Sequence, residues 1–144
     1  MNKVRFGMIG VGNMGTSHCG WLVNNRIEGA CLSAVCDIDE GRRNWAKENL
    51  PADVKIYDNY LDLLDSGEVD AVVIAFPHYL HPEMAIAALE RDLHVMVEKP
   101  AGVYVNQIKE MNAAAAKKPQ LVFGMMFISK QSASFTVTTG PLIP

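Results

Sequence analysis

The sequence lacks the features that mark several broad protein classes. No apolar run approaches the roughly 18 residues that a membrane-spanning helix requires, and the amino terminus "MNKVRFGMIG" has no signal-peptide core or cleavage site. Charge of either sign is not in excess, since 13 Lys and Arg against 16 Asp and Glu give a net charge of −3. Internal repeats, low-complexity tracts and charge blocks are also missing. Nucleic acid and membrane surfaces are therefore not expected partners.

Cysteine is scarce and is not arranged for chemistry. Cys19, Cys31 and Cys36 form no CxxC pair and no spacing typical of metal ligands. We therefore expect buried free thiols and no metal site. An odd number of cysteines without a signal sequence favours a reducing cytoplasm.

What the sequence does contain is a regular alternation of short apolar runs and helical segments. The 144 residues suit one domain. The predicted strands cover residues 4–9, 31–36, 54–57, 69–76, 94–97 and 121–124. The predicted helices cover residues 13–25, 39–49, 60–64, 82–91 and 105–117. Because the fourth and fifth strands are apolar on both faces, the pattern predicts an α/β fold, a doubly wound parallel sheet of Rossmann type.

The segment "GVGNMG" places three glycines between the first strand and the first helix. Gly10 would allow a tight turn, Gly12 would let the backbone approach a pyrophosphate, and Gly15 would let the helix pack closely on the strand. Asp37 ends the second strand, 22 positions after Gly15, where a carboxylate would accept hydrogen bonds from ribose hydroxyls. This is the full dinucleotide-binding fingerprint. The alternatives are a glycine turn without a ligand and another nucleotide-type cofactor, such as a methyl donor.

A second, longer segment resembles a known family. Residues 76–100 read "FPHYLHPEMAIAALERDLHVMVEKP". With "GVGNMG" and Asp37, this segment makes residues 3–127 similar to the N-terminal NAD(P)-binding domain of the Gfo/Idh/MocA oxidoreductases. The resemblance implies an NAD(P)-dependent oxidoreductase that moves hydride between a nicotinamide and a sugar, inositol or other polyol. A stand-alone dinucleotide-binding module, or a non-catalytic sensor, is the alternative.

The resemblance also implies which residues act. Cofactor contacts would come from Gly10, Val11, Gly12, Asn13, Met14, Gly15, Asp37, Ala75, Phe76, Pro77, His81, Glu98 and Lys99. Lys99 would be the catalytic residue, because an ammonium beside nicotinamide and substrate can hydrogen-bond the reacting hydroxyl, and it can assist proton removal if desolvation lowers its pKa. The alternative for Lys99 is an ordinary surface lysine.

The four histidines carry different expectations. His81 lies either near the nicotinamide or at a helix amino terminus beside Pro82, as a capping residue. His78 and His94 are expected to be structural or exposed. A direct role is least expected for His18, inside the first helix.

Asp37 also predicts the choice of cofactor. NAD is expected to bind more tightly than NADP, because a 2′-phosphate would meet the like charge of the carboxylate. Arg42 and Arg43 complicate this, since either could fold onto such a phosphate.

The end of the sequence departs from the family pattern. Family members carry a second, C-terminal substrate domain and usually form homo-oligomers, and no such domain is in this sequence. Residues 1–127 are predicted to form the Rossmann domain, and residues 128–144, "ISKQSASFTVTTGPLIP", an atypical tail. A shift of reading frame after Phe127, or a truncation, is one interpretation, and the gene sequence beyond that position tests it.

Overall fold

Six short apolar runs form one parallel sheet. A computed structural model describes residues 2–126. The strands are β1 (Val4–Ile9), β2 (Ala30–Cys36), β3 (Lys55–Tyr57), β4 (Ala71–Ile74), β5 (His94–Val97) and β6 (Phe123–Met125). Their order in the sheet is β3-β2-β1-β4-β5-β6, and every pair is parallel. The predicted fold class is confirmed. The predicted tail, residues 128–144, lies outside the described residues.

Five α-helices connect the strands. They are α1 (Asn13–Val23), α2 (Glu40–Asn49), α3 (Tyr60–Asp65), α4 (His81–Glu90) and α5 (Val105–Ala116), with a 3₁₀ turn at His78–Leu80. Two of them begin at capping side chains: Asp39 accepts from the amide of Arg42 at 2.8 Å, and Asn59 from that of Leu61 at 2.9 Å. Such caps satisfy amides that the first helical turn leaves without partners.

The helices cover both faces of the sheet. In β4, Val72 and Ile74 pack into the core formed with α3, α4 and α5, whereas Val73 packs into the core formed with α1 and α2. None of these three side chains is more than 4% exposed. The continuous apolar run was therefore interpreted correctly, because a strand buried on both faces needs no alternation of polar residues.

Some predicted boundaries are wrong, and turns explain most of the differences. β4 covers four residues rather than 69–76, and its start is fixed by Asp70, whose carboxylate binds the amide and guanidinium of Arg5. This contact also lowers the pKa of Asp70. The first helix stops at Val23, since Asn25 adopts a positive φ of 52°. The sixth strand begins at Phe123, because the amide of Val122 donates to the His94 ring instead of to the ladder.

The cysteines are free, as predicted, but only two are buried. Cys19 and Cys36 are 0% and 1% exposed, and burial raises the pKa of each to about 12. The prediction of a buried thiol is wrong for Cys31, which is partly exposed near the start of β2. Within residues 2–126, no cluster of His, Cys, Asp and Glu could hold a metal ion. In the same range, no helix is long and apolar enough to cross a bilayer.

This difference in burial predicts selective alkylation. Iodoacetamide at pH 8 should modify Cys31 first, with Cys19 and Cys36 slower by at least about a hundredfold, because a thiol of such high pKa supplies little thiolate. Peptide mapping by mass spectrometry measures the three rates, and the denatured chain, in which all three should react, is the control. Comparable rates for the three thiols in the native chain would contradict this packing.

Candidate functional site

The strands end in a level row at the carboxyl edge of the sheet. The residue after each of three strands donates its amide to the last carbonyl of a neighbouring strand: Gly10 to Cys36 at 2.8 Å, Ala75 to Ile9 at 2.8 Å, and Glu98 to Ile74 at 2.9 Å. The sheet order reverses between β1 and β4. In open α/β sheets, ligands bind outside the carboxyl ends of the strands at such a reversal. The loops after β1 and β4 are therefore the expected walls of a site.

The three glycines of the loop after β1 meet different surroundings. Gly10 has φ +96°, and a Cβ there would lie 2.8 Å from the Ala75 carbonyl carbon and oxygen. A Cβ on Gly15 would lie 1.9 Å from the Gly10 carbonyl oxygen, so α1 packs on the loop as closely as backbone allows. A Cβ on Gly12 would meet nothing within 4 Å. The fold therefore requires glycine at Gly10 and Gly15, whereas Gly12 leaves space for a ligand.

The amino terminus of α1 faces that space. Gly12 is the N-cap residue, no side chain caps the helix, and the first turn contains no acidic residue. The first-turn amides and the positive end of the helix dipole are therefore available for an anion. Asn13 and Met14 are exposed here, while the Val11 side chain is fully buried. This arrangement fits the pyrophosphate of a dinucleotide.

Asp37 joins the glycine loop to the turn after β2. Its carboxylate is 8% exposed, with Oδ2 accepting from the Val11 amide at 2.8 Å and Oδ1 from the Asp39 amide at 2.9 Å. A carboxylate oxygen can accept more than one hydrogen bond. Asp37 therefore retains capacity for ribose hydroxyls. The Arg43 guanidinium lies against the same turn and donates to the carbonyls of Asp37 and Ile38 at 2.9 and 2.8 Å.

An open cavity of about 270 Å³ adjoins this turn. It is lined by Cys36, Ile38, Asp58, Asn59, Tyr60, Phe76 and Met84. Ile38 is 72% exposed, which is unusual for a large apolar side chain next to a buried carboxylate. The cavity lies between the ends of β2 and β4, and this position suits a flat ring such as adenine. The sequence analysis did not select Ile38, Asn59 or Tyr60, although an apolar residue directly after Asp37 was a usable signal.

Glu98 is held inside the protein. Its side chain is 8% exposed, Oε1 hydrogen-bonds to His18 Nε2, and Oε2 accepts from the Lys99 amide at 3.2 Å. The His18 ring is 3% exposed and packs edge-on against Trp21, with 5.2 Å between ring centroids. Of the four histidines, His18 is the one for which a direct role was least expected. Its spacing of three residues from Gly15 was a signal that its side chain would point toward the sheet edge.

His81 connects two loops rather than capping a helix. Leu80 holds the N-cap position of α4, and no side-chain cap is present. The His81 ring is 1% exposed, with Nε2 2.6 Å from the Phe76 carbonyl oxygen and Nδ1 2.9 Å from that of Pro100. The capping interpretation is therefore wrong. The ring ties the segment after β4 to the segment after β5.

The remaining predicted residues lie around the same edge. Ala75 and Phe76 are partly buried, and Pro77 is exposed. Lys99 is exposed and follows Glu98 directly. His78 is exposed, and His94 accepts a backbone hydrogen bond in β5, so neither histidine is positioned by the loops of the site.

In the part of the chain that the structure describes, burial of polar side chains is confined to this region. Within residues 2–126, the buried polar or charged side chains are His18, Asp37, His81 and Glu98. Each of them binds a loop at the carboxyl edge. Burying such groups requires hydrogen-bonding partners and is rare away from functional sites. The fold therefore concentrates its polar interior where a ligand would bind.

The profile of the GFO_IDH_MocA family, described as an oxidoreductase family with an NAD-binding Rossmann fold, matches residues 4–125. The chain belongs to this family. It is 40% identical over 97 residues to an inositol 2-dehydrogenase of Arthrobacter sp. (strain FB24), covering 67% of this chain and 28% of the relative. Inositol 2-dehydrogenase 1 of Paenarthrobacter aurescens (strain TC1) is 35% identical over 134 residues, or 90% and 39% of the two chains. The described residues form the family's NAD-binding Rossmann domain.

Solved structures show the same fold. Myo-inositol 2-dehydrogenase from Lactobacillus plantarum superposes with a TM-score of 0.80 at 36% identity, covering 86% of this chain and 36% of that one. Scyllo-inositol dehydrogenase from Lactobacillus casei, solved with NAD(H) and scyllo-inositol, gives 0.81 at 26% identity and the same coverage. The WlbA dehydrogenase from Bordetella pertussis, solved with NADH and UDP-GlcNAcA, gives 0.82 at 26% identity, covering 92% and 39%. The chain spans less than two fifths of the length of these relatives.

Proposed function

We propose that this chain is the cofactor-binding part of an NAD-dependent oxidoreductase acting on a CH–OH group of an inositol, another polyol or a sugar. The observation that carries the proposal is the open space at Gly12, beside the uncapped amino terminus of α1 and next to Asp37. A Cβ on Gly29 or Gly67 also meets nothing within 4 Å, so it is the helix terminus and the carboxylate beside Gly12 that distinguish this position from an ordinary turn glycine. The length of its relatives supports a larger parent protein, with residues 1–127 as its first domain.

Different loops bind different parts of the cofactor. Gly12 and the first-turn amides of α1 hold the pyrophosphate, and Asp37 accepts from the adenosine ribose. The cavity beside Ile38 holds the adenine ring. Residues 75–77 border the nicotinamide half together with the segment after β5, because β4 lies at the reversal of the sheet order and β5 is its neighbour in the sheet.

Lys99 is the residue we assign to the chemistry. When bound, the nicotinamide supplies the hydride acceptor or donor. In the oxidation direction, the neutral amine of Lys99 would accept the proton of the reacting hydroxyl as the carbonyl forms. In the reduction direction, its ammonium would hydrogen-bond the carbonyl oxygen and return that proton. Exposure of Lys99 at the end of β5 leaves it accessible to a substrate.

The relatives support the proposed substrate class. Matched proteins are inositol 2-dehydrogenases, and matched structures hold scyllo-inositol or a sugar nucleotide. Residues supplied from outside this domain complete the substrate pocket. Exposed Tyr79, Val103 and Tyr104 fit a surface covered by a second domain or another copy in a homo-oligomer. Free thiols at Cys19 and Cys36 fit a cytoplasmic protein.

Calorimetric titration with both dinucleotides tests the cofactor assignment. NAD should bind at least about tenfold more tightly than NADP, because the 2′-phosphate of NADP would meet the Asp37 carboxylate. Asp37→Ser should narrow or reverse this ratio and weaken binding of both dinucleotides, since the Val11 amide also loses its acceptor.

Asp39→Ser is the matched control for this experiment. Serine remains a good N-cap residue, so α2 and the cofactor ratio should both be preserved. Equal or tighter binding of NADP by the unmodified chain would overturn the assignment of Asp37. In that case the guanidinium of Arg43, which lies against the same turn, becomes the group to substitute.

A further inference from the structure

We propose that His18 and His81 are positioning residues that hold the backbone on either side of the Lys99–Pro100 dipeptide, at the Lys99 amide and at the Pro100 carbonyl. His18 acts through Glu98, and His81 acts directly on the Pro100 carbonyl. The consequence for Lys99 chemistry rests on the proposed function above. The restraint itself rests only on the hydrogen bonds of this edge.

The first restraint runs from α1 to the amide of Lys99. Glu98 is an acceptor when ionised, so His18 Nε2 carries the proton of their hydrogen bond. The other carboxylate oxygen of Glu98 accepts from the Lys99 amide at 3.2 Å. Since the carboxylate is almost fully buried, losing either donor would leave it under-compensated. The Glu98 carboxylate is therefore held against the Lys99 amide.

The second restraint runs from the start of α4 to the carbonyl of Pro100. His81 Nδ1 lies 2.9 Å from that oxygen, and Nε2 lies 2.6 Å from the Phe76 carbonyl oxygen. Both partners are acceptors, and a neutral ring carries one N–H, so it donates to one of the two oxygens and packs against the other, whereas only an imidazolium donates to both. The imidazole thereby links the segment after β5 to the segment after β4.

Together the two histidines connect Lys99 to both walls of the site. His18 lies on α1, the helix whose amino terminus faces the space at Gly12, and His81 holds the segment that begins at Phe76. Lys99 is exposed, so its own side chain does not fix the backbone position. Reacting groups must be held within fractions of an ångström, and a misplacement of about 1 Å can cost on the order of a hundredfold in rate. The two buried histidines therefore fix the backbone position of Lys99.

Amide hydrogen exchange of the 144-residue chain tests the restraint. His18→Leu should speed exchange at the Lys99 amide at least about tenfold, because Glu98 is no longer held. His18→Gln, which keeps an N–H near the position of Nε2, should restore slow exchange. His81→Leu should also speed exchange at Lys99, and His81→Asn, which keeps a donor toward Pro100, should largely restore it. Unchanged Lys99 exchange in both leucine variants would overturn the proposal.

The amide of Val95 separates positioning from general stability. The Val95 amide donates to the carbonyl of Val122, the residue before β6. Its exchange rate therefore measures opening of β5 rather than of the loop. Positioning predicts fast exchange at Lys99 with slow exchange at Val95. Parallel increases at both amides would show a merely structural role and overturn the proposal.

A double variant guards against a chain that fails to fold. His18→Leu with Glu98→Leu removes both members of the buried pair, which is less destabilising than leaving one charge alone. Lys99 exchange should remain fast in it, because no carboxylate is left to accept. Slow exchange there would overturn the first restraint.

NAD titration of the same proteins keeps the two proposals apart. Failure of the unmodified chain to bind NAD would contradict the proposed function. The exchange rates would still test whether the two histidines restrain the backbone at Lys99.

Discussion

Gly12→Val is expected to weaken NAD binding by more than about a hundredfold while the chain remains folded. Outside the neighbouring residues, the Cβ of the new side chain meets no protein atom within 4 Å, so the substitution costs the fold only the N-cap preference for glycine over valine. The valine methyl groups would instead occupy the space assigned to the pyrophosphate. A loss of this size corresponds to roughly 2.8 kcal/mol of binding free energy. Calorimetry measures the affinity, and circular dichroism with thermal unfolding shows whether the fold is retained.

Two further glycines of the chain make this test specific. A Cβ on Gly20, within α1, also meets nothing within 4 Å, so Gly20→Val controls for adding valine at an open position. It should leave NAD binding unchanged. Gly15→Ala should do the reverse and destabilise the fold, because its Cβ would lie 1.9 Å from the Gly10 carbonyl oxygen. Normal NAD binding by Gly12→Val would mean that the loop is structural and that the cofactor is bound elsewhere.

The 144-residue chain alone is expected to bind NAD without measurable oxidation of polyols or sugars. The glycine loop, Asp37 and Lys99 all lie within the described residues, so the cofactor half of the site can form. Catalysis also requires the reacting carbon to be held against the nicotinamide, and such positioning supplies roughly 7–11 kcal/mol of barrier lowering. Losing about half of it costs on the order of a thousandfold in rate.

Calorimetry followed by an assay of NADH formation with inositols, other polyols and sugars measures both properties. An inositol 2-dehydrogenase of full length, assayed in parallel, shows that the conditions detect turnover. Robust turnover by the 144-residue chain would show that no further domain is needed and would contradict the division of the site proposed above. Absence of NAD binding would contradict the cofactor assignment itself.

The features that sequence reasoning found depend on local pattern. Glycine at Gly10 and Gly15, an apolar β4 and the position of Asp37 follow from steric and periodic rules that act over a few residues. The alternation of strands and helices then predicts the parallel sheet, because crossover connections have a fixed hand. For the secondary structure, these rules left only the ends of the elements undetermined, because single hydrogen bonds fix those ends. Asp70 and Val122 are examples of such residues.

The features that it missed depend on contacts between distant segments. His18 and Glu98 are 80 residues apart, and neither the helix pattern nor the strand pattern predicts that their side chains meet. His81 was considered as a capping residue because a proline follows it, but its ring binds two carbonyls that only the folded loops bring together. Ile38 and Tyr60 likewise line the same cavity only because β2 and α3 pack side by side. Such pairings are set by tertiary packing rather than by propensity.

Asp37 has both a structural role and a proposed role in cofactor choice. This combination limits how the protein could acquire a different cofactor preference, whether by evolution or by design. The carboxylate that would repel a 2′-phosphate also holds the Val11 amide and the Asp39 amide. A single substitution that removes the repulsion therefore loosens the glycine loop at the same time. A viable route to NADP needs a compensating change first, one that gives the Val11 amide a new acceptor. If Asp37 binds the ribose as proposed, a variant that lacks its carboxylate would bind neither dinucleotide well, and this weak intermediate would protect the cofactor preference.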